Sequence, residues 1–269
     1  MLDINKKEQP IGVFDSGVGG LSVLIELKRL LPNENFVFLA DQKQVPYGEK
    51  SKRKLVALAK RVTNYFINNH NIKMMVVACN TSTCSSVDEI RKLYTLPIVG
   101  TVPAIKVAME KTKSGTVAII STPSTSKSET LRKLIKKYGL GKNVLNIGCK
   151  NLEDAVEEGE LSSPKVKHLL AKYLKRVKNS NTDCLVLGCT HYPFLKGAIR
   201  KILGSNVKLI DGNKAIARQT GNLLANNFLE NNQRKQGKTL YFTTGNPEKF
   251  SKVASKLLKT YIKAKQVKI

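Results

Sequence analysis

The order of apolar and polar residues predicts a chain in which short buried strands alternate with amphipathic helices. Short apolar runs recur along the sequence, and each ends in a small or polar residue. The segments between them are predicted helices, among them Ser51 to Asn69 with apolar residues at helical spacing, about Ser85 to Leu93, and Pro247 to Ile262. This alternation is typical of an α/β fold with a mostly parallel sheet. It runs twice, with a break near Gly100, which predicts two similar domains.

Two of the predicted strands lead directly into a cysteine. Met74 to Ala78 precedes Cys79-Asn80-Thr81, and Leu185 to Gly188 precedes Cys189-Thr190-His191. In an open parallel sheet, ligands bind beyond the carboxyl ends of the strands. Two half-sites of this kind, facing each other across a cleft, could move a proton from one face of a substrate to the other.

Each of these thiols has a titratable residue within predicted reach. Asp15 ends the first strand, and His191 follows Cys189 by two residues. A neighbouring histidine or a helix N-terminus lowers a thiol pKa from its ordinary value of about 8.5. Two alternatives remain open: both cysteines are structural core residues, or Cys189 and His191 form a cysteine-hydrolase pair. The second alternative leaves Cys79 unexplained.

A glycine-rich turn, Asp15-Ser16-Gly17-Val18-Gly19-Gly20, follows the first strand. The dinucleotide-binding fingerprint requires glycine or alanine three residues after Gly19, where this chain has Ser22. Asp41 ends the second strand and partly fits the ribose-binding acid of that fingerprint, so a nicotinamide site remains an alternative. In the other interpretation, backbone amides at the helix start receive a substrate carboxylate, and Asp15 acts toward Cys79 or a substrate amine.

Composition narrows the class of protein. The five cysteines show no disulfide framework, and three histidines argue against a zinc site. No apolar run reaches the roughly 18–20 residues of a membrane span, and Met1 to Pro10 lacks the apolar core of a secretory signal. We therefore expect a cytoplasmic protein with free thiols.

The formal net charge of +26 attracts nucleic acid. The lysines are nevertheless scattered over predicted helical faces and are not interleaved with aromatic residues. We expect a solvated basic surface, with nucleic-acid binding that is non-specific at most. A basic DNA-associated binding protein remains the alternative from a different class.

Seven motifs in this order resemble those of the glutamate racemases, in the cofactor-independent aspartate/glutamate racemase superfamily. They are Gly12 to Leu21, Pro46-Tyr47-Gly48, Cys79-Asn80-Thr81, Val102 to Ile105, Thr122-Pro123, Gly188 to Pro193 and Phe242 to Glu248. The resemblance extends from about Ile11 to the C-terminal helix. It implies two α/β domains, at residues 1–98 plus 211–269 and at 99–210, with the active site in the cleft between them.

The resemblance also implies roles for individual residues, without a cofactor or a metal. Cys79 would exchange the α-proton with D-glutamate and Cys189 with L-glutamate, assisted by Asp15 and His191 respectively. Either Glu157 or Glu158 would support His191; the spacing leaves this open, and we place Glu158 among the catalytic residues. Expected substrate-binding residues are Asp15, Ser16, Tyr47, Gly48, Asn80, Thr81, Thr190 and His191.

The predicted function is therefore the reversible interconversion of L- and D-glutamate, which supplies D-glutamate for peptidoglycan. An aspartate racemase of the same superfamily is the nearest alternative. The resemblance further implies a homodimer of unspecified arrangement. One departure from the family pattern is Cys84, which puts a further thiol near the predicted site.

Overall fold

The computed structural model describes residues 4–269, with side chains from Lys6 onward. The chain forms two compact units: one comprises the residues up to Thr101 together with Asn213–Ile269, and the other comprises Val102–Gly212. The sequence predicted division after residues 98 and 210. The first of these borders cuts into a strand, Ile98–Gly100, that pairs with the sheet of the first unit and therefore stays with it.

The first unit contains a six-stranded parallel sheet in the order β10-β9-β2-β1-β3-β4. Strands β1, β2 and β3 are fully buried, as expected where helices cover both faces, whereas both residues of β10 are exposed. Its elements are α1 (Ile4–Glu8), β1 (Ile11–Asp15), α2 (Leu21–Leu30), β2 (Phe36–Ala40), α3 (Lys52–His70), β3 (Met74–Val77), α4 (Asn80–Leu93), β4 (Ile98–Gly100), α11 (Asn213–Asn226), β9 (Thr239–Thr243), α12 (Pro247–Leu258) and β10 (Lys265–Gln266).

The second unit contains a four-stranded parallel sheet in the order β6-β5-β7-β8. The two parallel sheets with their helices confirm the predicted α/β class. The elements of this unit are α5 (Ile105–Lys111), β5 (Thr116–Ser121), α6 (Pro123–Lys127), α7 (Glu129–Tyr138), β6 (Asn143–Gly148), α8 (Leu152–Glu157), α9 (Pro164–Lys178), β7 (Cys184–Leu187), α10 (Lys196–Leu203) and β8 (Lys208–Ile210).

Two helices differ from the sequence prediction. The helix predicted to start near Ser85 begins at Asn80, because the Cys79 sulfur accepts the backbone N–H of Ser82 and caps the first turn. The helix predicted to continue to Ile262 ends at Leu258, because Lys259 adopts a left-handed conformation, with φ of 53°.

A buried ion pair attaches the returning C-terminal segment to the first unit. Lys73 Nζ lies 2.5 Å from Glu34 Oε2, and the two side chains are 0% and 4% exposed. Lys73 also donates to the carbonyl of Leu229, and Glu34 accepts the backbone N–H of Asn231. Burial lowers the pKa of Lys73, while the bond and the charge of Glu34 oppose this shift. The pair therefore joins segments that are far apart in sequence.

In the described part of the chain, no helix combines the length and the apolar character needed to cross a membrane.

Candidate active site

Cys79 lies at the carboxyl edge of the first sheet, where β1 and β3 run side by side. The backbone N–H of Ala78 donates to the carbonyl of Phe14, so the ends of the two strands are adjacent. The Cys79 sulfur caps α4 by accepting the N–H of Ser82 at 3.5 Å. A helix N-terminus favours a thiolate over a thiol because its N–H groups point at the sulfur. The thiol is therefore placed where it can act as a base.

Asp15 and Ser16 follow β1 at the same edge of this sheet. Asp15 is completely buried, and its carboxylate accepts the N–H of Gly17 at 2.9 Å. The Ser16 hydroxyl lies 3.6 Å from the Cys79 sulfur. A Cβ atom at Gly20 would lie 2.4 Å from Asp15 Cβ, so only glycine at this position lets the turn close over the aspartate. The glycines of this turn therefore pack against Asp15.

The loop that carries Tyr47 is fixed by Asp41. The Tyr47 hydroxyl donates to Asp41 Oδ2 at 2.6 Å, and the Thr244 hydroxyl donates to Asp41 Oδ1 at 2.7 Å. Burial raises the pKa of Asp41, and these two bonds oppose the shift. The two carboxylate oxygens of Asp41 thus hold two different segments of the chain, one through Tyr47 and the other through Thr244. The nicotinamide alternative requires this aspartate to bind a ribose, and the two anchoring bonds argue against that role.

The remaining predicted substrate-binding residues of the first unit lie in the first turn of α4 and in the loop that carries Tyr47. Asn80 and Thr81 form the first turn of α4 and are 6% and 4% exposed. Gly48 is half-buried within the short 3₁₀ turn Tyr47–Glu49. The Tyr47 ring packs against Phe14, with ring centroids 6.1 Å apart.

Cys189 lies at the carboxyl edge of the second sheet, directly after β7. The preceding Gly188 donates its N–H to the carbonyl of Ile120 at the end of β5. Cys189 Sγ lies 3.5 Å from His191 Nδ1, which is the contact that their spacing predicted. Cys189, Thr190 and His191 are 6%, 3% and 5% exposed.

Glu157, rather than Glu158, supports His191. Glu157 Oε1 lies 2.6 Å from His191 Nε2. Glu158 is half-exposed and pairs with Lys165. Successive helical residues project about 100° apart, so the side chains of Glu157 and Glu158 point in different directions, and only the former reaches the imidazole. The assignment of Glu158 as a catalytic residue is therefore wrong.

The three side chains form a linear relay in which both ring nitrogens of His191 are engaged. Burial alone would lower the pKa of His191, but Cys189 and Glu157 raise it well above the ordinary value of 6.5. Burial raises the pKa of Cys189, although the bond and the charge of His191 oppose this shift. The bond and the charge of Glu157 thus favour the protonated imidazole, whereas burial favours the protonated thiol.

The other three cysteines differ in their burial. Cys149 and Cys184 are completely buried, and burial raises their pKa values to about 12 and about 11. Cys84 is half-buried on α4. Among the described residues, no group of three or more histidine, cysteine or acidic side chains is arranged to hold a metal ion.

Sequence reasoning missed Glu153, a further acidic residue of this half-site. It lies on α8 one helical turn before Glu157, and the charge of His191 acts on its carboxyl group. Its position in the sequence, four residues before Glu157, was a signal that could have identified it.

Comparisons with known proteins agree with this geometry. The sequence model of the Asp/Glu/Hydantoin racemase family matches residues 20–220. The glutamate racemase of Herpetosiphon aurantiacus is 42% identical over 92% of this chain and 97% of its own. The structure of glutamate racemase isoform RacE1 from Bacillus anthracis superposes with a TM-score of 0.89 at 29% identity, covering 98% of both chains. Glutamate racemase from Francisella tularensis, in complex with D-glutamate, gives a TM-score of 0.85 at 31% identity, covering 97% of this chain and 98% of its own.

Proposed function

The chain belongs to the Asp/Glu/Hydantoin racemase family, and on this basis we propose that it is a glutamate racemase that interconverts L- and D-glutamate. The observation that carries the proposal is the pair of thiols, each at the carboxyl edge of its own parallel sheet and each beside polar partners. A racemase needs one base and one acid, and two thiols can exchange these roles as the reaction reverses.

The proposed chemistry uses only side chains and backbone groups of this chain. Cys189 takes the α-proton of L-glutamate while Cys79 donates a proton to the opposite face of the same carbon; the reverse reaction exchanges these roles. An α-proton of an amino acid is very weakly acidic, so the developing carbanion requires preorganised hydrogen-bond donors. The exposed N–H groups at strand ends and helix starts are suited to this task, together with Ser16, Asn80, Thr81 and Thr190.

The auxiliary groups divide between the two thiols. His191, held by Glu157, takes up and returns protons beside Cys189. We assign Asp15 to the substrate amine or to Cys79. The Tyr47 hydroxyl already donates to Asp41, so we propose that its contribution to the substrate comes through the backbone of Tyr47 and Gly48.

The test is to incubate the purified protein with L-glutamate and, separately, with D-glutamate in D2O, with EDTA and without an added cofactor. We expect the circular dichroism of both enantiomers to decay to zero while deuterium enters at Cα. Turnover of aspartate alone would make the chain an aspartate racemase. Inactivity toward both amino acids with reduced thiols would overturn the proposal.

The wider role that we propose is the supply of D-glutamate for peptidoglycan in a bacterial cytoplasm. Working thiols require a reducing compartment, which agrees with five free cysteines. Depletion of the protein should cause a cell-wall defect that added D-glutamate relieves. Persistence of the defect with D-glutamate present would contradict this role.

We further propose a homodimer and only non-specific contact with nucleic acid. Size-exclusion chromatography coupled to light scattering distinguishes a monomer of 29.8 kDa from a dimer of twice that mass. Because counterion release dominates non-specific binding, retention on a DNA column should be lost at about 150 mM salt. Retention above that concentration would support a specific DNA-associated role for the +26 charge.

A further inference from the structure

The Cys189 half-site contains a second carboxyl group, that of Glu153. Glu153 and Glu157 lie four residues apart on α8, so the two side chains share one flank of the helix. Glu157 bonds to His191, and α8 packs on the turn that carries Tyr192. Two acidic side chains thus lie on one flank of α8, and one of them, Glu157, contacts the imidazole.

Glu153 is half-buried, but part of its carboxyl group is shielded from solvent. Its Oε2 atom is buried and finds no hydrogen-bond partner among the described residues. The backbone N–H groups of Glu153 and Leu152 lower the pKa of this carboxyl group, although burial raises it. Burying a carboxylate without full hydrogen bonding is unfavourable for folding. A carboxylate in this position acts electrostatically on its neighbours with little screening by solvent.

Titratable groups near Glu153 come from several elements. On α8 itself they are Asp154 and Glu157. The others are Cys149 after β6, the group Cys189, His191 and Tyr192 after β7, and Tyr173 on α9, which lies beside Tyr192. Burial raises the pKa of Glu153, whereas the charge of His191 lowers it. In turn, the charge of Glu153 raises the pKa of Cys189. The negative charge thus favours the protonated forms of both His191 and Cys189.

We propose that Glu153 is a positioning residue that, with Glu157, keeps the proton on the Cys189–His191 pair between turnovers. Its effect is to make Cys189 the acid of the resting enzyme and to leave Cys79 as the thiolate. The consequence for catalysis rests on the proposed racemase function. The effect on the protonation of Cys189 and His191 does not depend on that function; it depends only on the arrangement of Glu153, Glu157, His191 and Cys189.

The test is the titration of each thiol by NMR in protein labelled with ¹³C at the cysteine β-carbon, whose chemical shift reports loss of the thiol proton. Signals are assigned with single Cys→Ser variants. In Glu153→Gln, we expect the Cys189 midpoint to fall by on the order of one pH unit, because a like charge is removed from a buried site. The Cys79 midpoint should not move.

Two further variants serve as controls. Glu158→Gln removes a carboxylate from the residue that follows α8, whose half-exposed side chain pairs with Lys165; neither thiol should shift. Glu153→Asp keeps the charge one methylene farther away, so it should shift Cys189 less than Glu153→Gln. Far-ultraviolet circular dichroism verifies the fold of each variant, and the Asp variant keeps the test available if the Gln variant is unfolded.

An unchanged Cys189 midpoint in folded Glu153→Gln, or an equal shift in Glu158→Gln, would overturn the proposal. The assay of wild-type protein with glutamate is separate. If the wild type does not racemise glutamate but the Cys189 midpoint moves as expected, then the racemase proposal fails and the role of Glu153 stands. If the wild type racemises glutamate but the Cys189 midpoint does not move in Glu153→Gln, then the racemase proposal stands and the role of Glu153 fails.

Discussion

Glu157 Oε1 lies 2.6 Å from His191 Nε2, on the opposite side of the imidazole from the Cys189 sulfur. A carboxylate in this position fixes the orientation of the ring and stabilises its protonated form. The partner of Cys189 is therefore held in one geometry by a residue that does not touch the thiol.

Glu157→Gln should lower kcat/KM for both enantiomers by roughly ten- to hundredfold, because a charge-assisted hydrogen bond to His191 is lost. Glu158→Gln is the matched control and should remain within about twofold of wild type, since exposed ion pairs contribute little. Steady-state racemisation measured by circular dichroism checks both. Equal losses in the two variants would contradict the assignment of Glu157.

The pKa of His191 predicts how Glu157 affects stability at different pH values. Because the folded-state pKa lies well above 6.5, the stabilisation of the imidazolium is fully present below about pH 6.5 and is lost as pH rises through the folded pKa. The difference in the free energy of unfolding between wild type and Glu157→Gln should therefore be largest below pH 6.5 and should narrow above it. Urea unfolding over a pH series measures this; a difference that widens toward alkaline pH would refute it.

Replacement of Cys79 or of Cys189, the two proposed catalytic thiols, should abolish racemisation. In Cys79→Ser and in Cys189→Ser, a hydroxyl that does not ionise at neutral pH takes the place of the acid or base. We expect losses of at least about 10²-fold in kcat, the lower range for general acid–base catalysis. Cys84→Ser, on the same helix as Cys79, is the control and should stay active. Near wild-type turnover in either working-thiol variant would exclude the two-thiol scheme.

Tyr47→Phe should destabilise the first unit by about 1–3 kcal/mol, because it leaves a buried oxygen of Asp41 without its donor. In Asp41→Asn, the loss of the carboxylate already weakens this bond. The effects of the two substitutions should therefore be less than additive in a double-mutant cycle measured by urea unfolding. Strict additivity would show that the bond between Tyr47 and Asp41 contributes nothing.

Lys73→Met should cost about 3–5 kcal/mol of unfolding free energy, because Glu34 would remain buried without its cation. Lys73→Met combined with Glu34→Gln should recover part of this loss. Lys92→Met removes an exposed pair with Glu89 and should cost less than about 1 kcal/mol. Chemical denaturation compares the three variants, and similar values for Lys73→Met and Lys92→Met would contradict a structural role of the buried pair.

The strands that carry the working cysteines could be predicted because their apolar runs are unbroken and end abruptly at polar residues. The start of α4 could not, because Asn80, Thr81 and Ser82 have low helix propensity. The helix begins there only because the Cys79 sulfur caps it and the segment packs into the core. Strand β4 is three residues long and gives almost no pattern of its own.

The contact between Cys189 and His191 could be expected from a spacing of two on an extended chain. It is present, but in a turn: the backbone N–H of Tyr192 donates to the carbonyl of Cys189, and His191 has helical φ and ψ angles of −74° and −32°. The choice between Glu157 and Glu158 required the orientation of α8. Its buried residues, Leu152, Ala155 and Val156, define one face, and the two glutamates flank this face on opposite sides. The sequence does not contain the direction from which His191 approaches, so the choice depended on tertiary packing.

The order of the sheet in the first unit has a consequence for synthesis on the ribosome. Strand β2 pairs with β9, which is synthesised after the whole second unit. Until then, β2 presents an unpaired strand edge, and Glu34 and Lys73 lack the Leu229–Asn231 segment that covers them. The second unit is continuous in sequence, so it can fold during synthesis. The first unit cannot complete its sheet until β9 and β10 have been synthesised. Chains released before residue 239 would therefore keep an unpaired edge at β2 and would be prone to aggregation. Solubility of the chain thus depends on complete translation.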